Sequence, residues 1–320
     1  VLALAGGVGG AKLAHGLQMA LPEGGLTVVV NTGDDFNLWG LHISPDIDTV
    51  VYTLAGLANQ AQGWGLEGDS WQGLEMMARY GRDAWFRLGD MDMVTHVLRT
   101  QMLREGSTLT EVTADLASSL GVKSHILPMC DERVETLVKT PQGELDFQDY
   151  FVRRRHADTV EGVTFRGIDS ARLRPDVEQA IMAAPAIIFC PSNPIVSIGP
   201  ILALPGMADA LRASKGPRVA VSPIVGGAAL KGPAADMLQS LGYDVSPFGV
   251  ASIYEGLIDG IVIDKVDEQY APAIRDMGIA VEVSDTIMRS DAGRRALAET
   301  VLQFCEKLIS DDGRSIKRKR

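Results

Sequence analysis

Residues Leu26–Thr49 read LTVVVNTGDDFNLWGLHISPDIDT, an apolar β-branched run that turns abruptly into a carboxylate-rich segment. Leu26–Val30 has the composition of a strand buried on both faces, because no polar residue alternates within its apolar core. Asp34, Asp35, Asp46 and Asp48 then fall just past a strand end, where open α/β sheets bind ligands. Carboxylates this close repel one another unless a positive charge sits among them. A divalent cation carrying phosphate oxygens meets that need, since Mg²⁺ takes one or two carboxylates with substrate phosphate and water. Helix caps and turns account for the same residues equally well, because Asp and Asn favour both.

The same strand-then-turn pattern recurs on either side. Val1–Ala5 reads as a strand, followed by a glycine-rich turn and a helix near Ala11–Ala20. A second helix is expected over Asp48–Ala58. Ala186–Cys190, Arg218–Val221 and Gly260–Ile263 are further apolar, β-branched runs near helical sequence. This alternation predicts an α/β fold, a doubly wound Rossmann-like parallel sheet. Leu66–Leu120 differs: Leu74–Tyr80, Asp92–Glu105 and Leu109–Leu120 have helical periodicity without a clear strand. Thr136–Thr140 and Gly143–Phe147, joined through Pro141, predict a β-hairpin. The expected division is therefore a core of residues 1–65 and 150–310, a mainly helical insertion with a small hairpin at 66–149, and a flexible basic tail at 311–320. The ligand cleft is expected between core and insertion.

The chain has 320 residues and a net charge of −11, which argues against general nucleic-acid binding. An anionic substrate must then be held locally, by backbone amides, a metal or a few basic side chains. No apolar run is long enough to span a bilayer and the opening residues do not read as a signal peptide, so no membrane partner is expected. Cys130, Cys190 and Cys305 are widely spaced and form no CxxC pair, arguing against a zinc site or disulfide framework and for a reducing cytoplasm.

Three strand ends carry polar or glycine-rich turns. Gly6, Gly7, Gly9 and Gly10 lie between the first strand and first helix, where backbone can approach a phosphate. The spacing is neither GxGxxG nor a P-loop. Ser192 and Asn193 sit between two prolines after the strand ending at Cys190, and Ser222 to Gly227 repeat the arrangement after Val221. Together they predict one anion-binding rim, each turn also being explicable as structural. In GDMDMVTH, Asp90 or Asp92 suits an N-cap, and His96 and Arg99 share a helix face that the sequence leaves open to cleft or solvent. Neither GxSxG nor HExxH is present, which weakens hydrolase and zinc-protease readings.

GGVGGAK, NTGDD with SPDIDTV, GDMDMVTH, ILPMCDE, PSNPIVSIGPIL and VSPIVGG follow one another from Gly6 to Gly227, with VSDTIM later. In this order they resemble the 2-phospho-L-lactate transferase (CofD/FbiA) family of coenzyme F-420 biosynthesis. The resemblance implies a Mg²⁺-dependent homodimeric transferase. Its acceptor is Fo, a hydroxylated deazariboflavin, and its donor is a small organic acid carried on the terminal phosphorus of guanosine diphosphate. The ribityl hydroxyl of Fo attacks the phosphorus bearing the acid, and GMP leaves. On this resemblance Asp34 holds the metal, with Asp46 or Asp48 contributing directly or through water; alternatively, Asp34 or Asp35 accepts the hydroxyl proton. Gly6, Gly7, Gly9, Gly10, Ser192, Asn193, Ser222, Gly226 and Gly227 hold the guanosine diphosphate portion. Asp90, Thr95, Met129 and Asp131 are the candidates for Fo.

Two departures stand out. Val8 replaces a Thr found in some relatives, and Met91 stands where many read GDRD, removing a guanidinium. Lactate, enolpyruvate and glycerate donors therefore all remain open. The alternative is a nucleotide-sugar-binding regulator of the gluconeogenesis-factor type, with the same core and no turnover. A dinucleotide-dependent oxidoreductase lacks the third glycine and an acidic residue at the end of the second strand.

Overall fold

The computed structural model describes the backbone of residues 1–318 and the side chains of residues 1–310. Seven strands form the central sheet: β1 (Leu2–Ala5), β2 (Thr27–Val30), β5 (His125–Pro128), β9 (Ile187–Phe189), β10 (Arg218–Val221), β13 (Gly260–Asp264) and β14 (Ala280–Ser284). The order is β14-β13-β10-β9-β1-β2-β5, and all six pairings are parallel. Chain order reverses between β1 and β9, so their C-terminal ends flank the switch point of a doubly wound sheet.

Both faces of the sheet are buried, as the apolar runs require. Leu2, Leu4, Val29, Ile187, Phe189, Ile261 and Ile263 enter one core cluster. The alternate positions Ala3, Ala5, Val28, Val30, Ile188 and Val262 enter the other. That period of two is the strand pleat read as burial. One face is covered by α1 (Val8–Ala20), α2 (Pro45–Leu54), α5 (Leu109–Ser119) and α12 (Asp291–Arg318). The other carries α6 (Pro175–Ala183), α7 (Ile198–Ala203), α8 (Met207–Ala213), α9 (Ala234–Ser240), α10 (Pro247–Ile253) and α11 (Ala271–Asp276).

The insertion is smaller than the sequence suggests. Of its helices, only α3 (Gln72–Arg79) and α4 (Asp90–Arg104) stand outside the doubly wound pattern, because α5 leads directly into β5. Sequence reading missed β5 for a physical reason: it is a four-residue edge strand with exposed His125 and a terminal proline, paired as Val30↔Pro128. The expected hairpin is present as β6 (Glu135–Thr140) and β7 (Gly143–Asp146), and β8 (Gly162–Arg166) adds a third antiparallel strand. Two further small hairpins flank the sheet's C-terminal edge, β3 (Phe36–Leu38) with β4 (Leu41–Ile43), and β11 (Ile224–Val225) with β12 (Ala228–Ala229). α12 carries helical backbone to Arg318, and the rest of the expected tail lies outside the described residues. Among the described residues no helix is long and apolar enough to cross a membrane.

Candidate active site

A cleft of about 800 Å³ opens at the switch point. Its floor comes from the turns after β1, β9 and β10, one wall from α2 and α4, and an aromatic side from Trp64, Phe86, Phe147 and Phe151. Phe151 is carried by a single π-helical turn, Asp149–Arg153.

The acidic stretch supplies the centre of this cleft. Asp46 lies in the first turn of α2, with Pro45 as its first residue, so the helix begins earlier than the sequence reading placed it. Asp46 Oδ1 accepts from the Gly7 N–H at 2.7 Å, and its Oδ2 accepts from Asn31 Nδ2 at 2.9 Å. Burial, against the lowering effect of those two bonds, pushes Asp46 up to about 6. Asp34 is buried beside it, and its Oδ1 has no hydrogen-bond partner. Burial first, then the Asp46 charge, holds the Asp34 carboxyl well above the usual carboxylate range. Two mutually raised carboxylates with a partnerless buried oxygen are a donor set that suits a hard divalent cation. Asp35 turns away: its Oδ2 accepts from Ser44 Oγ at 2.7 Å and pairs with His42 Nε2 at 3.1 Å. It lines a second cavity of about 470 Å³, on which Asp34 also borders.

Asp48 belongs to a different cluster. Both its oxygens are taken by the buried Arg99 guanidinium, so the structure commits it to an ion pair rather than to an open metal position. Arg99 also donates to His96 Nδ1 at 3.0 Å. A guanidinium has no acceptor, so that nitrogen must be unprotonated, and the neutral ring carries its proton on Nε2. Nε2 lies 3.3 Å from Asp92 Oδ1 without making a hydrogen bond to it, and Asp92 Oδ1 accepts from Tyr52 at 2.8 Å. Asp48, Asp92 and His96 are close enough to surround an ion, but His96 has no free lone pair to offer one. We therefore read the cluster as a hydrogen-bonded brace. Burial opposes the charge on Asp92, yet the nearby His96, the Tyr52 bond and the Arg99 charge hold it below the usual carboxylate range. Asp92 and His96 face the cleft, which settles the orientation that the i, i+3 spacing left open.

The glycines do a different job from the expected one. A Cβ on Gly9 would sit 2.1 Å from the Pro191 carbonyl, and one on Gly10 would sit 2.5 Å from Ser192 Oγ. They are glycines because α1 packs directly on the turn after β9. The Gly6 and Gly7 amides are already given to Ser192 Oγ and Asp46 rather than left for an anion. Gly7 and Gly9 still line the cleft, as do Ser192, Asn193 and Ser222. Asn193 Oδ1 accepts from the Ile195 N–H at 2.9 Å, and Ser222 Oγ donates to the Ile224 carbonyl at 2.9 Å, so both shape their own turns. Gly226 and Gly227, with φ of 59° and 76°, are the central pair of the β11–β12 turn and stand off the cleft.

None of Asp90, Thr95, Met129 and Asp131 is brought to the cleft wall. Asp90 accepts from Ser70 Oγ and from the Gln72 and Gly73 amides, capping α3. Thr95 is half-buried, one residue short of the face that carries His96. Met129 is fully buried in the core under β2. Asp131 caps α5 through Thr110 and pairs with Arg174. What sequence reading missed is the aromatic side and the basic residues Arg87, Lys231 and Arg289, while Lys12 follows the glycine turn directly on α1. They come from segments distant in sequence, with no shared spacing to reveal them.

With this geometry in place, comparison with known proteins is decisive. The profile of the family described as "2-phospho-L-lactate transferase CofD" matches residues 1–302. The chain belongs to the CofD family. It is 40% identical over 303 residues to the 2-phospho-L-lactate transferase of Methanosarcina mazei, covering 95% of this chain and 99% of that one. It is 41% identical over 315 residues to the phosphoenolpyruvate transferase of Kitasatospora aureofaciens, covering 96% and 98%. Among solved structures, the UPF0052-family protein BH3568 of Bacillus halodurans superposes with a TM-score of 0.63 at 14% identity, over 94% of this CofD-family chain and 98% of that one. That likeness is one of fold.

Proposed function

We propose that this CofD-family protein transfers a phospho-organic-acid group from a guanosine diphosphate-linked donor to the ribityl hydroxyl of Fo, releasing GMP. The observation that carries the reading is the buried Asp34 carboxylate, with its partnerless Oδ1, at the switch-point cleft of a chain that aligns end to end with named transferases.

The step joins the ribityl oxygen to the phosphorus bearing the acid and breaks that phosphorus's bond to the GMP oxygen. Displacement at phosphorus needs positioning and charge neutralisation more than covalent help. Asp34 is the candidate either for receipt of the hydroxyl proton, which its raised carboxyl favours while no cation is bound, or for the metal, which would keep it ionised. Asp46 and Asp34 are the residues that would hold Mg²⁺, which when bound neutralises diphosphate charge. Asp46 is itself fixed by Gly7 and Asn31, so the carboxylates are pre-positioned by β1 and β2. The Arg99–His96–Asp92 brace keeps α4 and its ionised Asp92 at the cleft wall. The flat deazaflavin ring is assigned to the aromatic side, where Trp64 and Phe86 offer apolar area.

Lactate, enolpyruvate and glycerate differ by few atoms, and relatives of both named kinds match equally well. The test is a transfer assay with purified protein, Fo, Mg²⁺ and each guanosine-linked donor in turn, products being identified by mass. The reading expects a phosphodiester of Fo and GMP from one donor. Formation of neither product from any donor would overturn it.

A further inference from the structure

The cleft carries cations with no intramolecular counter-charge, in a chain whose acidic residues outnumber its basic ones by 41 to 30. Lys12, Arg87, Lys231 and Arg289 all line it, and none forms an ion pair with a carboxylate among the described residues. Arg87 instead lies over the Trp71 ring, 4.6 Å from its centroid. Lys12 and Lys231 both lie near the first turns of α1, the helix that follows the turn after β1. Lys12 is four residues beyond Val8 and so on the same face of α1. A Cβ on Gly63 would lie 2.8 Å from Lys231 Nζ and 2.9 Å from a Val8 methyl, so Lys231 sits over that same face.

Lys231 also holds a strap across the cleft mouth. Its Nζ donates to the Gln62 carbonyl at 2.7 Å. The strap, residues 59–65, closes on itself through Asn59 and Gly65 and is tied at Gln60 Oε1 by Arg294. Gln62 Oε1, on the cleft side of the strap, is buried without a partner. Burial, then repulsion from Lys231 and Arg294, lowers the pKa of Lys12. Lys231 has only a neutral carbonyl for a partner, and like charges held near one another are relieved by an anion. A phosphate oxygen also brings a full opposite charge, which a neutral carbonyl lacks.

We propose that Lys12 and Lys231 form the phosphate clamp of the cleft, Lys231 exchanging the Gln62 carbonyl for a phosphate oxygen when a nucleoside diphosphate-linked substrate enters. The clamp rests on the donor reading above and gives to two side chains the role that the occupied Gly6 and Gly7 amides leave unfilled.

The test is calorimetric titration of the full chain with GDP, guanosine and inorganic pyrophosphate, for wild type, Lys12→Gln, Lys231→Gln and Lys231→Arg. Each Gln variant should bind GDP about tenfold more weakly, as expected for one lost charged hydrogen bond. Guanosine affinity should stay unchanged, and Lys231→Arg should restore most of the GDP affinity. Lys231 is exposed, so its variants test the clamp without disturbing the core. GDP affinity unaltered in both Gln variants would overturn the clamp and leave the transferase reading standing. Lysine-dependent binding of pyrophosphate without GDP binding would support the clamp and remove the guanosine donor. Binding of neither anion by wild type would overturn both.

Discussion

Arg99 donates to Asp48 and to His96 at once, so one buried guanidinium fixes both a carboxylate on α2 and the tautomer of an imidazole on α4. The pair ties the wall of the cleft to its floor, and its removal should be felt as stability before it is felt as chemistry. Arg99→Met leaves Asp48 buried and uncompensated, a change worth about 3–5 kcal/mol of destabilisation. Urea unfolding should show that loss, and Asp48→Asn in the same chain should recover a large part of it. An Arg99→Met chain as stable as wild type would remove the brace.

Stability without metal should fall as pH rises. Asp46 titrates near 3.8 unfolded and at about 6 folded, so the folded state binds the extra proton between those values. Its contribution is therefore fully present below pH 3.8 and is lost as pH climbs through 6, amounting to about 3 kcal/mol. Asp34, also raised, extends the loss upward. Denaturation in chelator from pH 4 to 7 checks this, and Asp46→Asn should flatten the curve.

Mg²⁺ should reverse that loss. A cation bound between Asp34 and Asp46 favours their ionised forms, so binding releases protons and stabilises the fold. Millimolar Mg²⁺ at pH 7 should raise Tm in wild type, and Asp34→Asn and Asp46→Asn should abolish the rise. An equal rise in both variants would place the ion elsewhere.

Trp64→Ala should weaken Fo binding by about 1 kcal/mol, or roughly fivefold, if the ring stacks on the aromatic side. Fluorescence titration with Fo reads this directly, and GDP affinity should not change in parallel. A fivefold loss of GDP with Fo unchanged would reverse the two ends of the cleft.

The doubly wound core was legible because Leu26–Val30 and its counterparts are short apolar runs that end in turns, a pattern local in sequence. β5 was not, because an edge strand that half faces solvent needs no apolar run. The acidic centre was legible as a set, but its division was not. Asp34 and Asp46 were separated from Asp48 by a guanidinium more than 50 positions along the chain from it. Gly7 and Gly9 of the glycine turn line the cleft, yet what requires glycine at position 9 is a contact with Pro191, a partner 182 residues away. Lys231 and the aromatic side converge from separate loops and leave no mark on any local pattern. Met129 illustrates the converse: its place beside Asp131 suggested a ligand surface, while the pleat turns it into the core.

The role of Asp34 is tested most directly by a single-turnover experiment with wild type and Asp34→Asn, each mixed with saturating Fo, Mg²⁺ and the active donor. Appearance of GMP and of the Fo phosphodiester would be followed by rapid quench. Wild type should form the two in equal amounts. Asp34→Asn should keep its fold and bind GDP and Fo, while transfer slows by about 10²–10⁴-fold, the range for a lost proton acceptor. Transfer by Asp34→Asn at close to the wild-type rate would contradict the assignment of Asp34 and move the chemistry to another wall of the cleft.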